Sequence, residues 1–480
     1  MIDANNDKNP LEPSSPTQQI TYLLRKYKLL EGLVNLQDQQ DQSQTDSLVQ
    51  KRNLEEIQTY LNQLHPADIA HILEALPLDD RLLIWSLVKS EHDGDVLLET
   101  SDAVRTTLIT EMGNQELVAA TEFLDTDEIA DLVPDLPQDV IADVFRSLPI
   151  EEREQLRAAM SYPEDSVGAL MDFDVITIRE DVRLEVVLRY LRRLEELPDH
   201  TDQLFVVDRN EQLKGVLLIN RLLVSDPDTI VADAMTKEMI KLHPGDVAQQ
   251  AANAFERYDL VSASVVDDTD KLLGRVTVNT VIDFIREKAE SEALNLAGLN
   301  EEEDIFAPIL KSVKNRWGWL AINLITAFIA SRVIGLFEDS IEKLVALAAL
   351  MPIVAGIGGN SGNQTITMIV RALALDQINT SNAWKLLTKE MGVSLVNGLL
   401  WGSIIGAFTF VIYQNAELGL IMTMAMMLNL LLAALLGVLI PLTLRKLGRD
   451  PALGSSVMIT AVTDSGGFFI FLGLATIFLL

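Results

Sequence analysis

Five long apolar stretches in the last third of the chain constrain its fold more than any other feature. They cover residues 316–337, 344–370, 387–413, 418–444 and 453–480. As a helix, each is long enough to cross a hydrocarbon layer roughly 30 Å thick. The sequence therefore predicts an all-α transmembrane domain over residues 311–480, built from five helices in contact with membrane lipid.

Charge separates this region from the rest of the chain. Residues 311–480 carry 11 basic and 8 acidic residues, whereas residues 1–310 carry 27 basic and 62 acidic residues. An acidic domain attracts cations and repels nucleic acid, so no nucleic-acid partner is expected. The chain has no cysteine, and its five histidines are scattered. Hard oxygen ligands are therefore the plentiful ones, and these suit Mg²⁺ or Ca²⁺.

The soluble part begins with two different kinds of sequence. Residues 1–20 are polar and rich in Pro and Ser, which predicts disorder. Residues 21–160 show apolar residues at three- and four-residue spacing, which predicts short amphipathic helices. A weak repeat relates residues 65–77 to residues 125–137, since both have an Ile-Ala pair and close with Leu-Pro. Such repeats favour a helical superhelical domain without catalytic residues.

Residues 161–285 contain two similar β-type units. Residues 204–208 and 263–267 are apolar runs ending in Asp, and each leads through a turn to Leu-x-Gly, a second apolar run and a helix. This doubled pattern resembles a tandem pair of cystathionine-β-synthase (CBS) domains, an α+β fold. Such pairs often bind adenine nucleotides through a Thr-x-x-Asp after the second strand.

The nucleotide motif is incomplete in both units. The matching positions carry Leu218 and Arg221 in the first unit, and Thr277 and Thr280 in the second. The ribose-binding Asp is absent from both, so no nucleotide cofactor is expected. Residues 281–310 follow as a charged amphipathic segment, which predicts a plug-like linker helix between the CBS pair and the membrane. A plain linker is the alternative.

Basic residues around the apolar stretches predict the orientation. Lys311, Lys314 and Arg316 precede the first stretch, and further groups lie between the second and third and between the fourth and fifth. The alternate loops hold only Lys343. The positive-inside rule then places the N-terminus in the cytoplasm and the C-terminus outside. With no signal peptide in residues 1–20, the sequence predicts a multi-pass protein of the bacterial inner (plasma) membrane.

Two polar features inside the apolar stretches indicate an ion path. The second stretch contains Pro352 and the run Gly356-Ile-Gly-Gly-Asn-Ser-Gly-Asn-Gln364, and the fifth contains Asp464. Amides and carboxylates in a membrane are costly unless they face protein or water, so they mark a functional site. The alternative for the glycines is a tight helix interface. For Asp464 it is an ion pair with Arg332, which lies near the outer end of the first stretch.

The residues from Pro352 to Gln364, the Thr-Asp-x-x-Gly motif at 463–467 and the order of domains resemble the MgtE family of magnesium transporters. The resemblance implies a homodimer that passes partly hydrated Mg²⁺ through a pore lined by the second and fifth helices. It also implies closure of the pore by the cytoplasmic domain at high internal Mg²⁺. Carried over by position, the implied pore residues are Asp464, Asn363, Gly356, Gly359 and Thr460, with Asp450 at the cytoplasmic mouth.

The regulatory positions match the family less completely. Asp259, Asp283 and Glu292 are retained as possible ligands of regulatory Mg²⁺. Other positions at which family members carry acidic residues are occupied by Gln249, Thr280, Lys288 and Ser291. In the family, Mg²⁺ screens the repulsion between carboxylates, so the loss of carboxylates predicts weakened Mg²⁺ sensing.

Two other functions are compatible with the same residues. One is a coupled transporter that exchanges Mg²⁺ for Na⁺ or H⁺, and the other is a membrane-anchored CBS regulatory protein that transports nothing. An enzyme is not expected, because the sequence has no nucleophile–base pair, phosphate-binding loop or metal-hydrolase motif.

Overall fold

The computed structural model describes residues 15–36, 43–194, 196–299, 304–374, 377–378, 383–452 and 454–479. Residues 1–14 of the predicted disordered segment, 300–303 of the predicted linker, and 453 and 480 of the fifth apolar stretch lie outside these ranges. The chain forms two compact units. The first comprises residues up to Glu287 together with Asp304–Phe306, and the second comprises the remainder from Lys288.

The first unit begins with ten short helices that pack around one apolar core. They are α1 (Pro16–Leu36), α2 (Ser43–Leu61), α3 (Pro66–Glu74), α4 (Leu78–Trp85), α5 (Asp93–Glu99), α6 (Asp102–Glu111), α7 (Asn114–Thr121), α8 (Thr126–Leu132), α9 (Gln138–Ser147) and α10 (Ile150–Ala159). The core includes Ile57, Ile72, Leu108 and Val140, all fully buried. The predicted α-helical fold of this domain is therefore confirmed.

The start of α1 differs from the sequence prediction. Residues 16–20 were expected to be disordered, but they form the first turns of α1, and Ile20 is fully buried. Ile20, Leu23 and Leu24 lie at helical spacing and join the core. Burial of these side chains favours order in a segment whose composition alone favours disorder.

The two repeat segments begin their helices with different caps. At α3, the Nδ1 atom of His65 accepts a hydrogen bond of 3.3 Å from the backbone N–H of Ala67. At α8, the Glu128 side chain accepts a hydrogen bond of 2.9 Å from the backbone N–H of Asp125. Each cap satisfies a backbone group that the helix leaves unpaired at its N-terminus.

The CBS pair forms two small sheets with the same topology. Its elements are β1 (Thr177–Arg179), α11 (Leu184–Leu191), β2 (Gln203–Val207), β3 (Leu213–Leu218), α12 (Ile219–Val224), α13 (Val231–Ala234), β4 (Lys241–Leu242), α14 (Ala248–Tyr258), β5 (Ser262–Val266), β6 (Leu272–Thr277) and α15 (Val278–Ala297). In each sheet the first strand is parallel to the second and the third is antiparallel to it. The central strands β2 and β5 are buried along their whole length, as their continuous apolar runs predict.

The second unit consists of long helices: α16 (Ile309–Gly335), the short α17 (Glu338–Lys343), α18 (Ala346–Ala374), α19 (Ala383–Tyr413), α20 (Ala416–Lys446) and α21 (Ser455–Phe478). Among the described residues, α16, α19, α20 and α21 are long and apolar enough to cross a membrane. α18 is 29 residues long, but its glycines and amides make it less apolar. The five predicted helices are therefore present, and α18, which carries the polar run, is the one that is not apolar enough to count among the spanning helices.

α20 is the central helix of this unit. It packs against α18, α19 and α21, and half of its most apolar window is buried, compared with 6% for α16. α19 approaches it closely through Gly398, Gly402 and Gly406, which face Met427, Thr423 and Gly419. Small residues allow this close approach in a membrane, where packing replaces the hydrophobic effect as the force between helices.

An arginine within the helical core makes a long-range ion pair in the first unit. Arg81 of α4 is fully buried, and its Nη1 atom lies 2.6 Å from Oδ2 of Asp304. The same guanidinium donates hydrogen bonds to the carbonyls of Leu73 (2.8 Å) and Leu76 (3.1 Å) at the end of α3. Arg81 therefore caps α3 and holds the segment that precedes α16.

We predict that Arg81→Ala destabilises the first unit by about 3 kcal/mol, because removal of one partner of a buried ion pair leaves an uncompensated charge. The measurement is the thermal unfolding of the full chain in detergent. Arg146→Ala is the control, because Arg146 and its partner Asp143 are both well exposed, and such pairs contribute less than about 1 kcal/mol. Equal effects of the two substitutions would contradict the prediction.

Candidate functional site: a cation path

Glycines allow α18 and α21 to pack directly against each other. A Cβ atom added to Gly359 would lie 3.7 Å from Oγ1 of Thr463, and one added to Gly362 would overlap the side chain of Ile459. As residue numbers rise along α18, those of the contacts fall along α21, so the two helices run antiparallel. The structure thus brings together the two helices that carry the predicted pore residues.

The helix register orders these residues in two layers. Asp464 follows Thr463 and therefore lies level with Gly358 and Gly359, whereas Thr460 lies level with Gly362 and Asn363. Four residues of helix separate Asp464 from Thr460, which is about 6 Å along the axis. One layer thus has a carboxylate level with glycine backbone, and the other has a hydroxyl level with an amide.

The side chains of Asp464 and Asn363 make no hydrogen bond within the described residues that would compete with a solvated ion. Within the described part of the chain, Asp464 is half-buried and has no ion-pair or hydrogen-bond partner. Arg332, considered above as its partner, instead lies over the ring of Phe328. The side chain of Asn363 is half-buried and also makes no hydrogen bond there, and Gly356 has no heavy atom within 4 Å of an added Cβ.

The hydroxyl of Thr460 has a defined orientation. Its Oγ1 atom donates a hydrogen bond of 2.8 Å to the carbonyl of Ser456 in its own helix, and the residue is exposed. Because the hydroxyl proton is used in this bond, the oxygen lone pairs remain available as acceptors. Water bound to a cation donates its protons outward, so such an acceptor suits a hydrated Mg²⁺.

Asp450 and Glu292, both predicted from the sequence, lie close together in the second unit. Asp450 accepts a hydrogen bond of 3.4 Å from Nδ2 of Asn295, which is on α15 together with Glu292. Burial raises the pKa of Glu292, Lys288 opposes this effect, and the charge of Asp450 adds to it. Glu292 and Lys288 of α15 therefore lie near Asp450, which precedes the start of α21.

The other predicted regulatory residues are not part of this group. Asp283 belongs to the first unit, where it is exposed and lies 3.9 Å from Arg286. Asp259 is the C-cap of α14, with a left-handed backbone at φ 50°, and it is exposed. In the described residues, no group of three or more His, Cys, Asp or Glu is arranged to hold a metal ion. A regulatory site at these positions therefore remains a prediction.

Comparison with known proteins adds independent support to this description. Residues 351–474 match the MgtE model, described as a divalent cation transporter; residues 64–165 match the MgtE intracellular N domain; and residues 167–225 and 231–287 match CBS domains. A magnesium transporter MgtE of Enterococcus faecalis is 31% identical over 68% of this chain and 72% of its own. The chain belongs to the MgtE family.

One further relative covers more of the sequence, and another has a solved structure. The magnesium transporter MgtE of Bacillus subtilis is 26% identical over 90% of this chain and 96% of its own. A crystal structure of the cytosolic domain of the Mg²⁺ channel MgtE in complex with ATP is 27% identical, with a TM-score of 0.45, and covers 50% of this chain and 97% of that chain. MgtE proteins are membrane transporters, so the expected architecture and the expected class of function are confirmed.

One group of residues in this MgtE-family chain was missed by the sequence analysis. Asp127 of α8 is half-buried beside the CBS pair, and burial together with the charge of Asp172 raises its pKa to about 8. Asp172 is itself buried and paired with Arg275 at 2.7 Å. Four acidic residues at positions 125, 127, 128 and 131 mark α8 as strongly acidic, but their partners lie too far along the chain to be inferred.

We predict that the contact between α8 and the CBS pair weakens as pH rises. A carboxyl group with a raised pKa stabilises the folded contact while it is protonated, and this contribution is lost as pH rises through the folded value of about 8. The contribution is complete below the ordinary carboxyl pKa of 3.8, so the unfolding temperature of the first unit should fall between about pH 4 and pH 8 and level off above that range.

Asp127→Asn should remove much of this fall, because the amide cannot ionise. Differential scanning calorimetry of the full chain at several pH values is the measurement. Asp143→Asn serves as the control, since Asp143 is on the same domain but is exposed. The same pH dependence in Asp127→Asn and wild type would refute the role of Asp127.

Proposed function

We propose that this protein conducts Mg²⁺ across the bacterial inner membrane as a homodimer, through a path lined by α18 and α21. The observation that carries the proposal is the unpaired carboxylate of Asp464, which follows Thr463, the residue of α21 that faces Gly359 of α18. A charge without a partner is costly in a membrane, and a passing cation would compensate it. The family's magnesium-transporting relatives support the choice of ion.

The arrangement favours a hydrated ion. Mg²⁺ loses its water reluctantly and prefers octahedral oxygen ligands at about 2.0–2.1 Å. The two layers of one chain provide one carboxylate, one hydroxyl, one amide and glycine backbone, which is too few for a fully dehydrated ion. A second copy would double this set, so a path between two copies, with the N-terminus in the cytoplasm and the C-terminus outside, is part of the proposal.

A nucleotide is not part of the proposed function. A cavity in the CBS pair has a volume of about 180 Å³, which is smaller than the roughly 300–1,000 Å³ of typical small-molecule sites. Its lining includes Glu238, whose negative charge would repel phosphate. In the second unit, Thr280 occupies the position of the absent ribose-binding acid, and its hydroxyl oxygen lies 2.9 Å from that of Thr277.

We predict that Asp464→Ala lowers Mg²⁺ flux at least tenfold, because a charge-assisted contact contributes about 1.5–3 kcal/mol, or roughly ten- to hundredfold. Flux is measured in liposomes that contain the purified full chain, alongside growth rescue of a Mg²⁺-auxotrophic strain. Asp339→Ala is the control, since Asp339 is an exposed acid of the same unit.

The alternatives give different results in the same assay. A membrane-anchored regulatory protein would show no Mg²⁺ flux in wild type, and Asp464→Ala would change nothing. An exchanger would require an opposing Na⁺ or H⁺ gradient, whereas a channel would conduct with a Mg²⁺ gradient alone. Full flux in Asp464→Ala would overturn the proposed path.

We also propose that internal Mg²⁺ closes the path, but weakly. Lys288 lies near Glu292 and opposes the rise of its pKa, so it already neutralises part of the repulsion that Mg²⁺ would otherwise screen. The acidic contact around Asp127 remains available to respond to cations. Closure should therefore need more Mg²⁺ than it would with a full set of carboxylates.

Lys288→Glu should shift closure to lower Mg²⁺ concentration, because it adds a carboxylate near Glu292 and Asp450. The measurement is protection of the full chain from proteolysis as Mg²⁺ is titrated. Lys237→Glu is the matched charge reversal on the exposed surface of the CBS pair. An equal shift in both variants would attribute the effect to net charge and contradict the local explanation.

A further inference from the structure

Asn429 is a buried amide at the centre of the membrane unit. It lies on α20, the helix that packs against both α18 and α21, and only 1% of its surface is exposed. Its neighbours along α20 are apolar, including Met426 and Leu430, which are also buried. A polar side chain in such a position requires an explanation, since burial of an amide is costly unless its groups are paired.

The amide joins two helices at one point. Its Nδ2 atom donates a hydrogen bond of 2.9 Å to the carbonyl of Val354 on α18. A Cβ atom added to Gly467 of α21 would lie 2.7 Å from the same Nδ2, and one added to Gly358 of α18 would overlap it. Both helices therefore need glycine where they contact this side chain, and the amide fits between them.

Only one of the two polar atoms of this amide, the nitrogen, has a hydrogen-bond partner. In the described residues, Oδ1 of Asn429 has no hydrogen-bond partner, although it is buried. An apolar residue of similar shape would avoid this unpaired acceptor. The sequence therefore carries a feature that is unfavourable for packing alone, and this points to a role for the bond to Val354.

The residues that Asn429 contacts are close in sequence to two predicted pore residues, Asp464 and Gly356. Gly467 is three residues after Asp464, which is less than one helical turn. Val354 and Gly358 lie on either side of Gly356. The side chain thus lies between α18 and α21 near the level of the carboxylate, hydrogen-bonded to α18 and facing Gly467 of α21.

We propose that Asn429 is a positioning residue that sets the spacing between Asp464 and the glycine face of α18, and thereby the discrimination between Mg²⁺ and larger divalent cations. This inference rests on the proposed function of these helices as a cation path. Ca²⁺ carries the same charge but binds oxygen at about 2.3–2.6 Å, against about 2.0–2.1 Å for Mg²⁺. A change in spacing therefore affects the two ions unequally, whereas a loss of folded protein affects them equally.

The test compares Mg²⁺ and Ca²⁺ flux in liposomes containing the full chain. Asn429→Leu keeps the branched shape without the donor, and Asn429→Ala cannot clash with either glycine. Both should lower the ratio of Mg²⁺ to Ca²⁺ flux about fivefold, the factor that corresponds to one hydrogen bond. Thr423→Val is the matched control, because Thr423 on the same helix donates to the carbonyl of Gly402 on α19, away from the path.

A second pair of variants covers the case in which the first do not fold. Gly467→Ala places a methyl group against the amide and should also lower the flux ratio. When Asn429 is already alanine, the new methyl group at position 467 meets no amide. Adding Gly467→Ala to Asn429→Ala should therefore change the flux ratio less than adding Gly467→Ala to the wild type. Additive changes in the two variants would show that the residues act separately.

The outcomes separate the inference from the proposed function. An unchanged flux ratio in the Asn429 variants, with Mg²⁺ flux through wild type and none through Asp464→Ala, overturns the inference alone. A changed ratio in Thr423→Val would overturn it as well, because any loosening of the bundle would then suffice. Absence of Mg²⁺ flux through wild type overturns both.

Discussion

The glycine contact between α18 and α21 is the constraint on which the polar part of the membrane unit depends. A side chain at Gly362 would overlap Ile459 and separate the helices. Because the helices touch, Asp464 lies level with backbone that carries no side chains. Asn429 of α20 lies between the two helices, where it faces Gly358 and Gly467.

The sequence predicted what is periodic and local. The apolar stretches correspond to the long helices, and the two runs ending at Asp208 and Asp267 correspond to β2 and β5. Family resemblance supplied the residues of the candidate path, which composition alone could not rank. The sequence analysis missed contacts between distant residues. Arg81 and Asp304 are 223 positions apart, and no local pattern relates them.

The boundaries also show where composition misleads. Residues 16–20 look disordered because of their neighbours, yet Ile20 belongs to a helical row that the core buries. Asn429 is a single amide in an apolar stretch, and nothing in the neighbouring sequence marks it. Its place becomes clear only from the two glycines that face it, Gly358 and Gly467. In both cases the decisive information is a contact with another element, which one sequence without its fold does not contain.

Under the proposed control by internal Mg²⁺, the acidic contact around Asp127 would respond to protons and Mg²⁺ in the same direction, because either one reduces the repulsion between its carboxylates. Thr460 separates the ions in another way. Its hydroxyl proton is held by the carbonyl of Ser456, so the oxygen faces outward as an acceptor only. A cation surrounded by water presents protons to this surface, and an anion surrounded by water presents oxygen. In the proposed path, the helix backbone would therefore favour positive ions independently of the charge on Asp464.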